Sequence, residues 1–316
     1  MKAPVLAFVL LGFGCAAEVD TSTTSGDISV WQWADDVQIP NQFSVGHVGL
    51  AAFGGRVHQL HTIGSTGPLA WSIFNGETWS TEVELAQHAD GVPAMTVFNN
   101  RIAAVYKPAG QNRLVMMMSD GHSWSTPVNA GTTIGTATLV TTPAVAVQAG
   151  VLYAAYCVRK SDGDHLRVDR FSTEWSMVTE TDAYFSCRHV ALAALPDGRL
   201  DLIANTEGAS SWYMEETMRQ PQGTTWSALK ILPMKSKKPL SIVTCGNTTH
   251  LVHGGYSTPS EIWWTTRDDY GSWHDDVKVP NQASNGGATL GCFQTTRPIM
   301  VHNGGSGQLW WSEFLP

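Results

Sequence analysis

The chain has 316 residues, 43% of them hydrophobic and only 15% charged, with a net charge of −8. The charged share is well under the roughly 25% of an ordinary soluble domain. A nucleic-acid binder shows a basic face, and the only basic cluster here is Lys235, Lys237 and Lys238. Thirty Gly and 15 Pro argue against long helices, and 13 Trp exceed what a core of this size needs.

Residues 1–17 read as a signal peptide. Met1-Lys2 is a short positive start, and Ala3 to Gly14 is an apolar run of secretory length. That run is too short to span a bilayer, and no later stretch is long enough, so no transmembrane segment is expected. Two endings are open. Leu10-Leu11-Gly12-Phe13-Gly14-Cys15 resembles a bacterial lipobox, which implies lipidation of Cys15 and anchoring in the cell envelope. The alternative is cleavage after Ala17 and plain secretion. Residues 18–26, rich in Ser and Thr, read as a flexible linker to a folded body over 27–316.

That body is repetitive. Trp33, Trp79, Trp124, Trp175, Trp226 and Trp273 follow one another at steps of 46, 45, 51, 51 and 47 residues. The phrase Trp33-Ala34-Asp35-Asp36-Val37-Gln38-Ile39-Pro40-Asn41-Gln42 returns as Trp273-His274-Asp275-Asp276-Val277-Lys278-Val279-Pro280-Asn281-Gln282. Within a unit the signals are those of short strands. Pro93 to Phe98 is β-rich, Asn99-Asn100 is a hairpin turn, Arg101 to Tyr106 returns, Leu114 to Met118 is a third strand, and Ser119-Asp120-Gly121 leads to a fourth through Trp124. Four strands in about 40 to 50 residues, repeated, make one propeller blade. The predicted fold is therefore all-β: a six-bladed β-propeller of four-stranded antiparallel blades. The 43 residues after Trp273 fall one strand short, so Asp27 to Trp33 is expected to join the last blade and close the ring.

Four cysteines lie beyond the leader, and four allow three pairings. Blade register favours Cys157 at the end of strand two of unit three with Cys187, on one side of neighbouring blades. Cys245 with Cys292, near the ends of innermost strands on the opposite side, is the weaker expectation. Free buried thiols are the alternative.

Counting along the second strands from the turn gives the column His61, Tyr106, Tyr156, Ala204, His253 and His302; the third strands give Trp71, Met116, Val168, Tyr213, Trp264 and Trp311. His and Trp coincide in units one, five and six, which become neighbours once the ring closes. A structural need of every blade would appear in every blade. The aromatic faces of Trp71, Trp263, Trp264, Trp310 and Trp311 suit stacking on a sugar ring, with His61, His253 and His302 bonding hydroxyls and Tyr106 and Tyr156 in equivalent places. The competing reading is that these Trp are interblade core. His58 and His61, or His250 and His253, are three apart and point to opposite faces of a strand, which is poor metal geometry. No nucleotide loop, nucleophile elbow or Cys-x-x-Cys motif is present, so no cofactor, metal or catalytic residue is expected.

The phrase Val277 to Gln282, the strands ending in Val-His, and Leu309-Trp310-Trp311-Ser312 before a Gly turn resemble the repeats of bacterial and fungal propeller lectins. The resemblance covers 27–316 and implies a non-enzymatic protein with several shallow sites between blades, whose partners are glycans or glycoconjugates. Two alternatives remain. The Gly-x-x-Trp turns distantly resemble sialidase Asp-boxes, although Phe74 and Ser119 stand where the Asp belongs. A protein-interaction scaffold would bind no sugar.

Overall fold

A computed structural model describes residues 32–132, 134–181, 187–207, 212–221, 223, 225–255, 260–267 and 271–315. The leader, its Cys15, the linker and residues 27–31 lie outside the described residues. Among the described residues the chain is strands and turns, without a helix.

Six antiparallel sheets follow in sequence. Blade one comprises Gly49–Phe53, Arg56–Thr62, Thr66–Phe74 and Val83–Asp90. Blade two is Ala94–Phe98, Arg101–Tyr106, Leu114–Ser119 and Val128–Ala130, and blade three is Ala144–Gln148, Val151–Lys160, Gly163–Phe171 and Trp175–Glu180. Blade four is Cys187–Ala194, Leu200–Glu207, Trp212–Arg219 and Lys230–Ile231; blade five is Leu240–Cys245, Thr248–Gly254, Ser260–Arg267 and Val277–Ser284. Blade six takes Ala288–Phe293, Arg297–Asn303 and Gln308–Leu315 from the end of the chain and its outer strand from the beginning. Each is ordered from the channel outwards, and together they form a six-bladed β-propeller.

The ring closes as expected in kind, with a shift in position. Gln32–Trp33 pairs with Leu315 and Phe314, but most of the closing strand is Val37–Phe43, laid against Trp311, Trp310 and Gln308. The six register tryptophans occupy one structural place. Each is opposite the end of its blade's third strand: Trp33 with Phe314, Trp79 with Phe74, Trp124 with Ser119, Trp175 with Phe171, Trp226 with Arg219 and Trp273 with Arg267. In blades one, two, four and five the outer strand proper begins only after this bridge, so the Trp starts the return rather than lying inside it.

The core lies between blades, in six apolar clusters, one at each junction. Alternation along a strand sends successive side chains to opposite neighbours. In blade one, Leu60 packs towards blade two and Val57 towards blade six. In blades one, two, three and five the innermost hairpin turns on two residues; in Asn99-Asn100 both have positive φ (48° and 55°), the twist that suits tight antiparallel pairs. Both disulfides form between neighbouring blades: Cys157–Cys187 joins three to four and Cys245–Cys292 joins five to six, with Cα separations of 6.0 and 5.6 Å. Cys157 lies within its strand, which runs on to Lys160. Two disulfides suit an oxidising compartment outside the cytosol, and no described helix is long and apolar enough to cross a membrane.

Candidate functional site

The register of the hairpins decides which of the expected residues meet. Leu60 is opposite Trp71, Val252 opposite Trp264 and Val301 opposite Trp311. The histidines are opposite the residue before: His61 with Ala70, His253 with Trp263 and His302 with Trp310. The expected pairings of His61 with Trp71, His253 with Trp264 and His302 with Trp311 therefore put partners on opposite faces of their blades. In blade four the residue in register with this Trp column is Glu216, not Tyr213, because Tyr213 is opposite Thr206.

Trp71, Trp264 and Trp311 pack into the junction with the following blade. Trp71 lies edge-on to Trp124 at 6.1 Å and stacks on His58 at 5.8 Å. Trp264 contacts Phe314 at 4.7 Å and Trp33 at 6.4 Å, and Trp311 contacts Phe74 at 4.6 Å. In blades one and five the indole N–H of Trp71 or Trp264 donates to Nδ1 of His58 or His250, at 3.3 Å in both. Burial holds each of these two histidines at a pKa of about 4, which keeps Nδ1 free to accept. Tyr106 and Tyr156 are buried in the junctions with blades one and two. The Tyr156 hydroxyl donates to Asp169 at 2.6 Å, and burial, first among its causes, pushes its pKa upwards.

The opposite faces of blades five and six carry a set of side chains built twice. His253 Nε2 meets Asp276 Oδ2 at 3.0 Å, and His302 Nε2 meets Asp36 Oδ2 at 2.9 Å. Asp276 and Asp36 are the fourth residues of the repeated ten-residue phrase, immediately before the outer strand. They reach the second strand across the third. Beside each His lies the indole of Trp263 or Trp310 and beyond it Lys278 or Gln38, in cross-strand register. The Gly two residues after each His seats the indole: a Cβ on Gly255 would stand 3.1 Å from Trp263 Nε1, and one on Gly304 2.9 Å from Trp310 Nε1.

Depth assigns different roles within the set. His253 and His302 are 2% and 1% exposed. The carboxylates are 21% and 19% exposed, and both indoles are half-buried at the surface. The indole and the carboxylate lie outermost, and the imidazole beneath fixes the carboxylate's direction. Nδ1 of both histidines and Oδ1 of both aspartates are buried and have no protein hydrogen-bond partner. Blade one keeps only part of the set: His61 is fully buried, lies 3.4 Å from Glu82 Oε2, and has Ala70 and Ile63 where the others have Trp and Gly.

Sequence reasoning picked out the histidines and both tryptophan pairs but missed Asp36, Asp276 and Glu82. Their signal was in the repeated phrase, where Asp36 and Asp276 stand at one position.

The fold and its closure define a class, six-bladed propellers with exported-type disulfides. No family model and no curated protein matches the chain. Among solved structures it is similar to a protein of unknown function from Dyadobacter fermentans, with a TM-score of 0.71 at 14% identity over 91% of this chain and 99% of that one. It is similar to the fungal Aleuria aurantia lectin, a six-bladed propeller with fucose recognition, at TM-score 0.65 and 12% identity over 86% and 93%. Trypanosoma rangeli sialidase matches at TM-score 0.59 and 12% identity, with 86% of this chain covering 55% of that one. These likenesses carry the fold.

Proposed function

We propose that the protein is an exported, non-catalytic glycan-binding propeller with two equivalent sites, Trp263/Asp276/His253 on blade five and Trp310/Asp36/His302 on blade six. One observation carries this reading: the indole, the oriented carboxylate and the glycine that seats the indole recur together in two neighbouring blades and are incomplete in the third. An aromatic face with a fixed acceptor beside it suits a sugar ring, which offers C–H groups on one face and hydroxyl donors at its edge. His61/Glu82 on blade one, which lacks the indole, contributes little. The export reading continues to the leader, where lipidation of Cys15 would tether the sites at the cell envelope. The fold likeness to a sialidase lends no catalytic group, and the buried Arg219 and Arg267 are committed to interblade partners Gln148, Asp201 and Glu216.

A glycan array probed with the leaderless protein tests the reading. Trp263→Ala and Trp310→Ala should each weaken capture by the affected site about five-fold, a loss near 1 kcal/mol, with melting behaviour close to wild type. The double variant should lose surface capture disproportionately, because avidity needs both sites. Retained binding in the double variant, or turnover of any bound glycan, would overturn the proposal.

A further inference from the structure

On the side of the ring where the second strands end, the central channel opens into a cavity of about 430 Å³. His47 reaches its wall from before blade one, Arg188 and His189 from blade four, and Lys237 and Lys238 from before blade five. No acidic side chain lines it among the described residues, in a chain with 27 acidic residues and a net charge of −8. The rest of the wall, including Val45, Val92, Thr142 and Pro239, does not titrate. The channel beneath is apolar, walled by residues such as Leu50, Val145, Leu192 and Ile242, so nothing below neutralises the mouth.

We propose that this mouth binds an oxyanion, the carboxylate or sulfate group of a small ligand, held by Lys238 Nζ and the His47 and His189 imidazoles. Lys238 Nζ donates one bond to the Asn285 carbonyl at 3.0 Å, which leaves donor capacity on a positioned ammonium. Arg188 is tied to Glu207 at 3.1 Å and contributes field rather than contact. The two imidazoles are held neutral when the mouth is empty. Burial, followed for His189 by repulsion from His47, Arg188 and Lys238, lowers its pKa to about 3, and burial lowers that of His47 to about 4. An oxyanion reverses that repulsion, so binding draws protons onto the imidazoles and tightens as the pH falls. The site stands apart from the glycan reading, since it uses none of the Trp263 or Trp310 side chains.

Imidazole signals of the leaderless protein, followed by NMR, test it. Sodium sulfate and sodium glucuronate are titrated separately, at constant ionic strength against sodium chloride, with glucose as the neutral control. The expected result is a saturable shift of the His47 and His189 signals with sulfate, glucuronate or both, accompanied by a rise in their apparent pKa. Response to sulfate identifies an inorganic-anion site, and response to glucuronate alone an acidic-sugar site. Lys238→Met, which keeps the aliphatic stem, should weaken the response about ten-fold, as expected for a lost charge-assisted bond. His189→Gln provides a second variant, and Lys235→Ala should change nothing. Absence of saturation, equal shifts in chloride, or an unaltered response in both Lys238→Met and His189→Gln would overturn the proposal.

Discussion

His58 and His250 show how a core residue can look like a site residue. Each lies two blades from the other yet makes the same bond, accepting an indole N–H on Nδ1 at 3.3 Å. Burial holds both at a pKa of about 4, against 6.5 for an ordinary histidine. The unfolded chain therefore binds more protons than the native one between about pH 6.5 and 4, and stability must fall as the pH drops through that window. Each group adds up to about 1.4 kcal/mol per pH unit to the slope. Chemical denaturation at a series of pH values should show this loss, and His58→Gln should flatten it at some cost in neutral stability. The indoles above them follow the same logic. Trp71→Ala should destabilise by about 3–5 kcal/mol as a core truncation, and Trp264→Ala, half-buried like Trp263 but packed against Phe314 and Trp33, should cost more than Trp263→Ala. A thermal melt of the neighbouring pair Trp263→Ala and Trp264→Ala separates the faces in one comparison.

At the scale of the strand, the repeated ten-residue phrase serves three purposes. Its Asp meets a histidine. Its Asn, Asn41 or Asn281, adopts a positive φ of 58° or 57° where the outer strand slips register. Its Gln crosses to the next blade: Gln282 donates to the Ala34 carbonyl and accepts from Ser312, while Gln42 donates to the Ser80 carbonyl and accepts from Ser72. Gln42→Ala removes the acceptor 2.8 Å from the buried Gln59 amide and leaves it only His61 Nδ1 at 3.4 Å, so a loss of about 1–3 kcal/mol is expected in denaturant unfolding. This element also marks where the sequence stops being legible. Strand count and turn positions followed from the repeat period; both cysteine pairs formed as favoured, Cys245 with Cys292 from the weaker expectation, since the two differ by one residue in register. The pairing of His61 with Trp71 did not, because facing residues on successive strands depend on loop length between them, and one residue of slip exchanges faces. Asp36 and Asp276 were in view but unread, since reaching the histidine means crossing a strand, which no linear spacing reports.

For the whole molecule, closure is the costly step, because the first described strand must find the last blade across the entire chain. Blade six without Val37–Phe43 presents a bare outer edge along Gln308 to Trp311. The same segment brings Asp36 to His302 and Gln42 to blade one, so it both seals the ring and completes the proposed blade-six site. The Cys245–Cys292 bridge next to that blade spans 47 residues, and by loop entropy it is worth about 4 kcal/mol. Chains beginning after residue 43 should therefore fail to give a monomeric ring, and should associate or aggregate through the bared edge, even with both disulfides formed. Adding a synthetic peptide of residues 32–43 in trans should restore a compact monomer and with it the blade-six site, but an Asp36→Asn peptide should restore only the compactness. Size-exclusion chromatography with a glycan-capture readout distinguishes the outcomes. A truncated chain that remains monomeric and cooperative without the peptide would show that the ring does not depend on this strand.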